Sequence, residues 1–377
     1  MMNTKKIKIF VDAHPFDTTF QGTQTFIEGL YNVLLQNHPQ LDIYFGAYHV
    51  DRIQKAFPFL AAANILQYKK RKFSFIRFLI DIPQLIKKHS FDFAHFQYVS
   101  PAPSAHCKYI VTLHDILFND FPEEFSWMYR IKRNFIFKKS IRNAAIKTTV
   151  SSYSRDRIAL HYKIPGEQLY IIPNAVNTST NIDKEAARLI IKEKYGIENF
   201  ILYVSRVEPR KNHLLLLNKF FELELYKQNI SLIFIGERSM NVPELDNKIA
   251  ALTNEQQNKF YHIGQVNKTD LGLFYQSCKL FVYPSKAEGF GIPPLEAAIN
   301  KAPVLCSNAT AMSDFTFFDP YMFDPENDNE FNNKLKEILG ATPTVSQLEM
   351  IAATITEKYS WDKTAAIFLN LLQSNRQ

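Results

Sequence analysis

Two acidic residues with seven residues between them frame the stretch richest in chemistry, Ala287-Glu-Gly-Phe-Gly-Ile-Pro-Pro-Leu-Glu-Ala297. Two glycines and then two prolines lie between the acids. Proline suits a first helical turn, where no amide proton is needed. The expected path is therefore strand (Leu280–Tyr283), loop, helix start. Free amides at such a start bind anions, and Gly289 and Gly291 let a ligand approach the backbone. A carboxylate beside a phosphate would be repelled. Glu288 on the loop and Glu296 on the first helical turn are read instead as acceptors for hydroxyls, as on a sugar and a ribose. The competing reading is a capped surface helix with an incidental acid.

A second cluster, Val204-Ser-Arg-Val-Glu-Pro-Arg-Lys-Asn212, follows an expected strand at Phe200–Val204. Arg206, Arg210 and Lys211 converge there before a helix. Arginine offers planar bidentate donors to phosphate oxygens, and lysine a compact charge. Fixed cations stabilise the charge that builds on a departing diphosphate. The alternative is a solvated turn. Leu113-His114-Asp115 ends a strand; it is either a local His–Asp hydrogen bond or a neutral imidazole that binds a substrate hydroxyl. Gly22-Thr23 opens a helix soon after the first strand. Asn174 falls in a polar linker and reads as a turn former.

These positions need scaffolding, and the chain supplies it by alternating strands and helices. Strands are expected at Ile7–Val11, Asp42–Ala47, Phe91–Phe96, Tyr109–Leu113 and Thr148–Ser151, then at Phe200–Val204, Leu232–Ile235, Phe260–Ile263, Leu280–Tyr283 and Val304–Cys306. Helices are expected between them, among them 23–36, 78–88 and 129–145, then 213–227, 243–253, 268–276, 293–300 and 329–339. Such alternation implies parallel sheets covered by helices. The expected fold is α/β, with two Rossmann-like doubly wound domains facing across a cleft. Their bounds are 1–175 and 176–359, and a helix over 360–377 returns to the N-terminal domain. Ligands of open parallel sheets bind beyond the strand ends, where the motifs fall.

Composition narrows the classes. Eleven glycines in 377 residues exclude collagen-like and glycine-rich chains. Three scattered cysteines, Cys107, Cys278 and Cys306, make neither a disulfide framework nor a zinc signature. They read as buried thiols in a reducing compartment. Ile7–Val11 is too short for a signal-peptide core, and no run of about 18 apolar residues occurs. The chain is therefore read as cytoplasmic. Residues 1–188 hold 25 Lys/Arg against 15 Asp/Glu, and the remainder 19 against 22, so charges of +10 and −3 sum to +7. The basic half, densest at Lys69–Lys72 and from Arg130 to Lys147, points to an anionic membrane face or to a merely solvated surface. No nucleic-acid module accompanies it, so no nucleic-acid partner is expected.

Taken in order, these segments resemble the retaining family 4 glycosyltransferases of GT-B fold, of bacterial surface-polysaccharide type. Glu288 to Glu296 is similar to that family's E-x7-E element. Ser205-Arg206 with Arg210-Lys211-Asn212 resembles its SR…RKN segment. Ile171-Ile-Pro-Asn-Ala-Val-Asn177 resembles its inter-domain IPNGVD segment, with Ala175 and Asn177 in place of glycine and aspartate. Val150-Ser-Ser-Tyr-Ser154 and Tyr359-Ser-Trp-Asp362 fit as well.

The resemblance implies an N-terminal acceptor domain and a C-terminal nucleotide-sugar domain. Arg206 and Lys211 would stabilise the departing diphosphate, Glu288 would contact the transferred sugar, and Glu296 the ribose. Ser205, Gly289, Phe290, Gly291 and Ile292 would line the donor, and Gly264 and Val266 its base. His114 would meet the donor sugar and Gly22 the phosphates. It implies same-face transfer of a hexosyl unit without metal or other cofactor. The acceptor would be a glycan or a lipid-linked glycan. His114 to Ser126 looks most like mannosyl-transferring branches, which makes GDP-mannose the first donor and UDP-sugars the next. Two alternatives remain: a non-catalytic GT-B partner protein, or a nucleotide-sugar epimerase on the same fold.

Overall fold

A computed structural model describes residues 6–18, 22–70, 73, 75–177 and 183–376. Arg71 and Lys72 of the basic run, and residues 178–182 of the expected linker, lie outside the described residues. The chain divides into two units, Met1–Ala175 with Tyr359–Gln377, and Val176–Lys358.

The first unit has a parallel sheet of β1 (Ile7–Asp12), β2 (Leu41–Ala47), β3 (Ile65–Gln67), β4 (Phe93–Gln97), β5 (Lys108–Leu113), β6 (Ile146–Thr149) and β7 (Leu169–Ile171). Their order is β3-β2-β1-β4-β5-β6-β7. The helices are α1 (Gly22–Asn37), α2 (Val50–Ala56), α3 (Ile82–His89), α4 (Trp127–Asn143) and α5 (Ser152–Tyr162). Central strands such as Phe93–Gln97 are buried along their whole length, as two-sided cover demands. One face of the sheet packs Ile82 and Ile86 of α3, Phe137 and Ile141 of α4 and Ile158 of α5 against Phe10, Phe96 and Val111. The helix expected over 78–88 has two parts. A π-helical turn, Arg77–Asp81, precedes α3. Pro83 lacks the N–H that would continue a regular ladder into the preceding turn.

The second unit repeats the scheme with β8 (Phe200–Val204), β9 (Ser231–Ile235), β10 (Phe260–Ile263), β11 (Leu280–Tyr283), β12 (Val304–Ser307) and β13 (Met322–Phe323), ordered β10-β9-β8-β11-β12-β13 and parallel throughout. Its helices are α6 (Lys184–Tyr195), α7 (His213–Glu222), α8 (Pro243–Ala250), α9 (Asn254–Gln257), α10 (Lys268–Ser277), α11 (Ile292–Ile299), α12 (Asp328–Gly340) and α13 (Val345–Lys358). The helix expected over 213–227 stops at Glu222, because Glu224 takes a left-handed φ of 52°.

The last helix, α14 (Trp361–Ser374), belongs to the first unit and packs on α1. Ser360 caps it. The indole of Trp361 lies over Gly29, where any Cβ would come within 2.1 Å of the ring. Phe368 lies against Tyr31 of α1 and His95 of β4. Thus α1 and α14 together cover the sheet face opposite α3 and α4.

Candidate active site

In each sheet the strand order reverses once, between β1 and β4 and between β8 and β11. Crevices at such reversals are where open parallel sheets bind ligands. In the second unit, residues 205–212 leave β8 and residues 284–291 leave β11, side by side. Lys211 Nζ donates to Glu288 Oε1. Tyr283 Oη donates to the same oxygen at 2.7 Å. Arg210 donates to Ala287 O at 2.6 Å, approaches Glu288 Oε2 at 3.4 Å and meets Glu208 Oε2 at 2.8 Å. Arg206 reaches Glu208 Oε1 at 3.2 Å, and its side chain stays 45% exposed. So the three expected cations do gather, but on two carboxylates.

The electrostatics follow from that pairing. Burial alone would raise the Glu288 carboxyl. The charges of Lys211 and Arg210, with hydrogen bonds from Lys211 and Tyr283, outweigh it and hold the group at about 2. Burial and the neighbouring Arg210 lower Lys211. Burial opposes the ionisation of Glu208 too, yet Arg210, Lys211 and Arg206 hold it below its ordinary value. Three cations against two carboxylates leave a net charge of +1 in a partly dry crevice. Arg210 is engaged on three groups and ties the two loops together. Arg206 pairs with Glu208 alone and is the most exposed of the three cations, while Lys211 is buried on Glu288.

The helix after the Glu288 loop begins at Ile292, with Pro293 and Pro294 in its first turn. Gly291 turns the chain with φ +95°, a conformation that side-chain-bearing residues rarely adopt. The amide of Glu288 donates to Thr310 Oγ1 at 2.8 Å. Glu296 departs from expectation: α11 starts one residue earlier than read, so the acid falls in the second turn. Its Oε2 accepts from Tyr275 Oη at 2.9 Å, and burial raises its pKa. Beyond β10, Gly264 is exposed and Val266 half-buried. At the end of β9, Gly236 packs so tightly that a Cβ would lie 2.0 Å from Ser205 O. His262 Nε2 lies 2.8 Å from Gly236 O.

His114 and Gly22 belong to the first unit. His114 directly follows β5. It does not pair with Asp115, which instead accepts from the Leu117 amide at 3.3 Å. Its Nε2 donates to Gln97 Oε1 at 2.8 Å. Burial drops the ring to about 3, so it is neutral near pH 7. With Nε2–H engaged, Nδ1 is left as an acceptor. Gly22 is exposed at the start of α1, and Phe26, one turn on, sets its ring edge-on to His114 at 5.2 Å.

Several contributors escaped the sequence reading. Glu208 bridges two of the arginines, and Tyr283 and Gln97 orient Glu288 and His114. At the end of β1, the buried Asp12 accepts from Tyr68 Oη at 2.8 Å and His14 Nδ1 at 3.1 Å, with Arg77 Nε 3.7 Å away. Burial opposes its charge, but His14 and Arg77 hold its pKa far below the usual range. Only Glu208 had a local signal, an acid inside an otherwise basic loop.

Residues 20–180 match the family described as Glycosyltransferase Family 4, and residues 187–353 match Glycosyl transferases group 1. The O-antigen chain mannosyltransferase RfbU of Salmonella typhimurium is 27% identical over 71% of this chain and 69% of its own length. The serotype-specific mannosyltransferase WbdA of Escherichia coli is 28% identical over 60% of this chain, but that match spans only 29% of WbdA. Among solved structures, Anabaena HepE in complex with UDP-glucose superposes with a TM-score of 0.76 at 15% identity, covering 98% of this chain and all of the other. A Rickettsia africae glycosyltransferase gives 0.73 at 17% identity, over 98% of both chains.

Proposed function

The chain belongs to the family 4 and group 1 glycosyltransferases, and from that premise we propose that it moves a mannosyl unit from GDP-mannose to a glycan or lipid-linked acceptor of a surface polysaccharide. The mannosyltransferase relatives support the sugar and the pathway class. The carrying observation is the ionised Lys211–Glu288 pair, set beside the glycine loop that turns into α11 at the strand reversal of the second unit.

In this reading, Arg206, Lys211 and the amides from Gly289 to Ile292 receive the diphosphate. Negative charge grows on the phosphate oxygen as the glycosidic bond breaks, and the fixed cations meet it without reorganising. Glu288 Oε2, which Arg210 approaches only loosely, accepts a hydroxyl of the sugar. Glu296 accepts from the ribose, and Gly264 and Val266 flank the base. His114 Nδ1 accepts a further sugar hydroxyl, and Gly22 faces the phosphates. Transfer occurs on the face the phosphate leaves, and that phosphate takes up the acceptor proton. No step calls for a metal ion. The first unit takes the acceptor, and its basic charge holds the protein at the inner face of an anionic membrane. Among the described residues no helix is long and apolar enough to cross one.

A melting screen against GDP, UDP, GDP-mannose and UDP-sugars tests the donor. A ligand at about 100 times its Kd stabilises the folded state by about 2.7 kcal/mol, so GDP-mannose should raise the midpoint most. A larger shift with a UDP-sugar would reassign the donor. No shift with any of them would favour a non-catalytic partner protein.

A further inference from the structure

One surface of the first unit is built against the habits of a soluble face. Helix α4 exposes Trp127 (67%), Met128, Ile131 and Phe135 (70%) to solvent. Large apolar side chains gathered in this way mark an interaction site. From Trp127 to Lys147 the sequence holds seven Lys or Arg residues and no acid. The exposed Lys132 and Lys139 stand among the apolar side chains. Arg133 lies over the ring of Tyr129 at 5.2 Å.

A second exposed apolar group, Phe75 and Leu79, precedes α3. Both α3 and α4 pack on the same face of the sheet. Each follows a parallel strand, so both start at its carboxyl edge. The two apolar groups therefore share one side and one edge of the unit.

We propose that this surface inserts its apolar side chains into the interfacial layer of an anionic bilayer, with α4 lying in the membrane plane. The proposal rests on the reading of a transferase with a lipid-linked acceptor, and sharpens it from attraction by charge to partial burial. Charge decides the occupant. A second copy of this chain would bring seven cations against seven. Anionic headgroups complement them, while tryptophan and phenylalanine suit the headgroup boundary and lysine stems reach past it.

The test uses the full chain with vesicles of phosphatidylcholine, alone or with a quarter phosphatidylglycerol. The chain has two tryptophans, Trp127 exposed and Trp361 buried, so a change in emission reports on Trp127. The protein should sediment with the anionic vesicles and Trp127 emission should shift to the blue. Part of the binding should survive about 0.5 M salt, which screens the charge contribution. Lys132→Gln should weaken binding about fivefold at low salt. Ile131→Ser with Phe135→Ser should remove the salt-resistant part and the blue shift, with the melting temperature kept.

Three results overturn the proposal: no sedimentation, full binding by the serine variant, or lipid-free self-association that the serine variant abolishes. None of these readouts uses a nucleotide. A GDP-mannose melting shift on the same samples therefore separates failure here from failure of the donor reading.

Discussion

The two strand-reversal crevices share a topology and differ in charge. The crevice of the second unit is ionic: Lys211, Arg210 and Arg206 bear on Glu288 and Glu208. The crevice of the first unit is lined by neutral groups at His114 and Gln97, with the adjacent His95 bound to Tyr31 at 2.7 Å. At the end of β1 the buried Asp12 is compensated by Arg77 and His14. A net cation among fixed donors suits a diphosphate. Neutral donors and acceptors suit hydroxyls, which a charge would not hold more selectively. One scaffold, used twice, thus carries two different electrostatic environments through the residues that follow its strands.

The largest effect should come from breaking the ionic crevice. Lys211→Ala removes the counter-charge of a buried carboxylate and, on the proposed reading, one of the two cations that meet the leaving group. Turnover should fall by about two orders of magnitude or more, about 2.7 kcal/mol of transition-state stabilisation. The melting temperature should fall as well, since an uncompensated buried charge costs about 3–5 kcal/mol. Glu288→Gln separates the two effects, because it keeps the shape and some hydrogen bonding. It should be folded and still slow. Near-normal rates for both variants would dissolve the assigned site.

A smaller effect is expected from the neutral crevice. His114→Phe keeps a ring against Phe26 and removes the acceptor nitrogen. Loss of one hydrogen bond to substrate predicts about a tenfold drop in kcat/KM. The melting shift with GDP alone should persist, because GDP lacks the transferred hexose that His114 would meet. If GDP binding is lost with it, the contrast between the crevices fails.

The contrast also explains what could be read from the chain. Apolar runs such as Phe200–Val204 announce central strands, because two-sided burial permits little else. Helix α5 is harder to read: Ser154, Ile158 and Tyr162 are buried at four-residue spacing, but only one of the three is aliphatic, and Arg155, Asp156 and Arg157 lie between them. The three-residue β3 and two-residue β13 are held by their neighbours rather than by their own residues. In the site, the motif loops were legible because glycine, proline and clustered cations have few other reasons to coincide. What escaped is pairing across the fold. Seventy-seven residues separate Lys211 from Glu288, and seventeen separate Gln97 from His114. Nothing in either local sequence names its partner.

Acid offers a finer probe of the neutral crevice. Burial lowers His95 and His114 to about 3. Between pH 6.5 and 3 the unfolded chain binds protons that the native rings refuse. Stability contributed by their neutrality is therefore complete above pH 6.5 and lost as pH falls, at about 1 kcal/mol per pH unit for each ring. His213 of the second unit is buried to a similar value and adds to the same trend. A folded, neutral substitute such as His95→Gln should flatten the decline in melting temperature between pH 6.5 and 5. Glu288 behaves in the opposite range. Its lowered pKa stabilises above the ordinary carboxyl value and loses that contribution only as pH falls toward 2.

The smallest expected effect is none at all. If Arg206, Lys211 and the loop amides from Gly289 to Ile292 carry the leaving diphosphate, a chelator has nothing to remove. EDTA, followed by exchange into metal-free buffer, should leave turnover within error. Mg²⁺ added back should change the rate no more than an equal ionic strength of sodium chloride. A metal-dependent rate would mean that a cation partners the diphosphate after all. The net charge of +1 in the ionic crevice would then be too little for the task, and Glu208 or Glu288 would have to be reassigned from neutralising arginine and lysine to holding the ion.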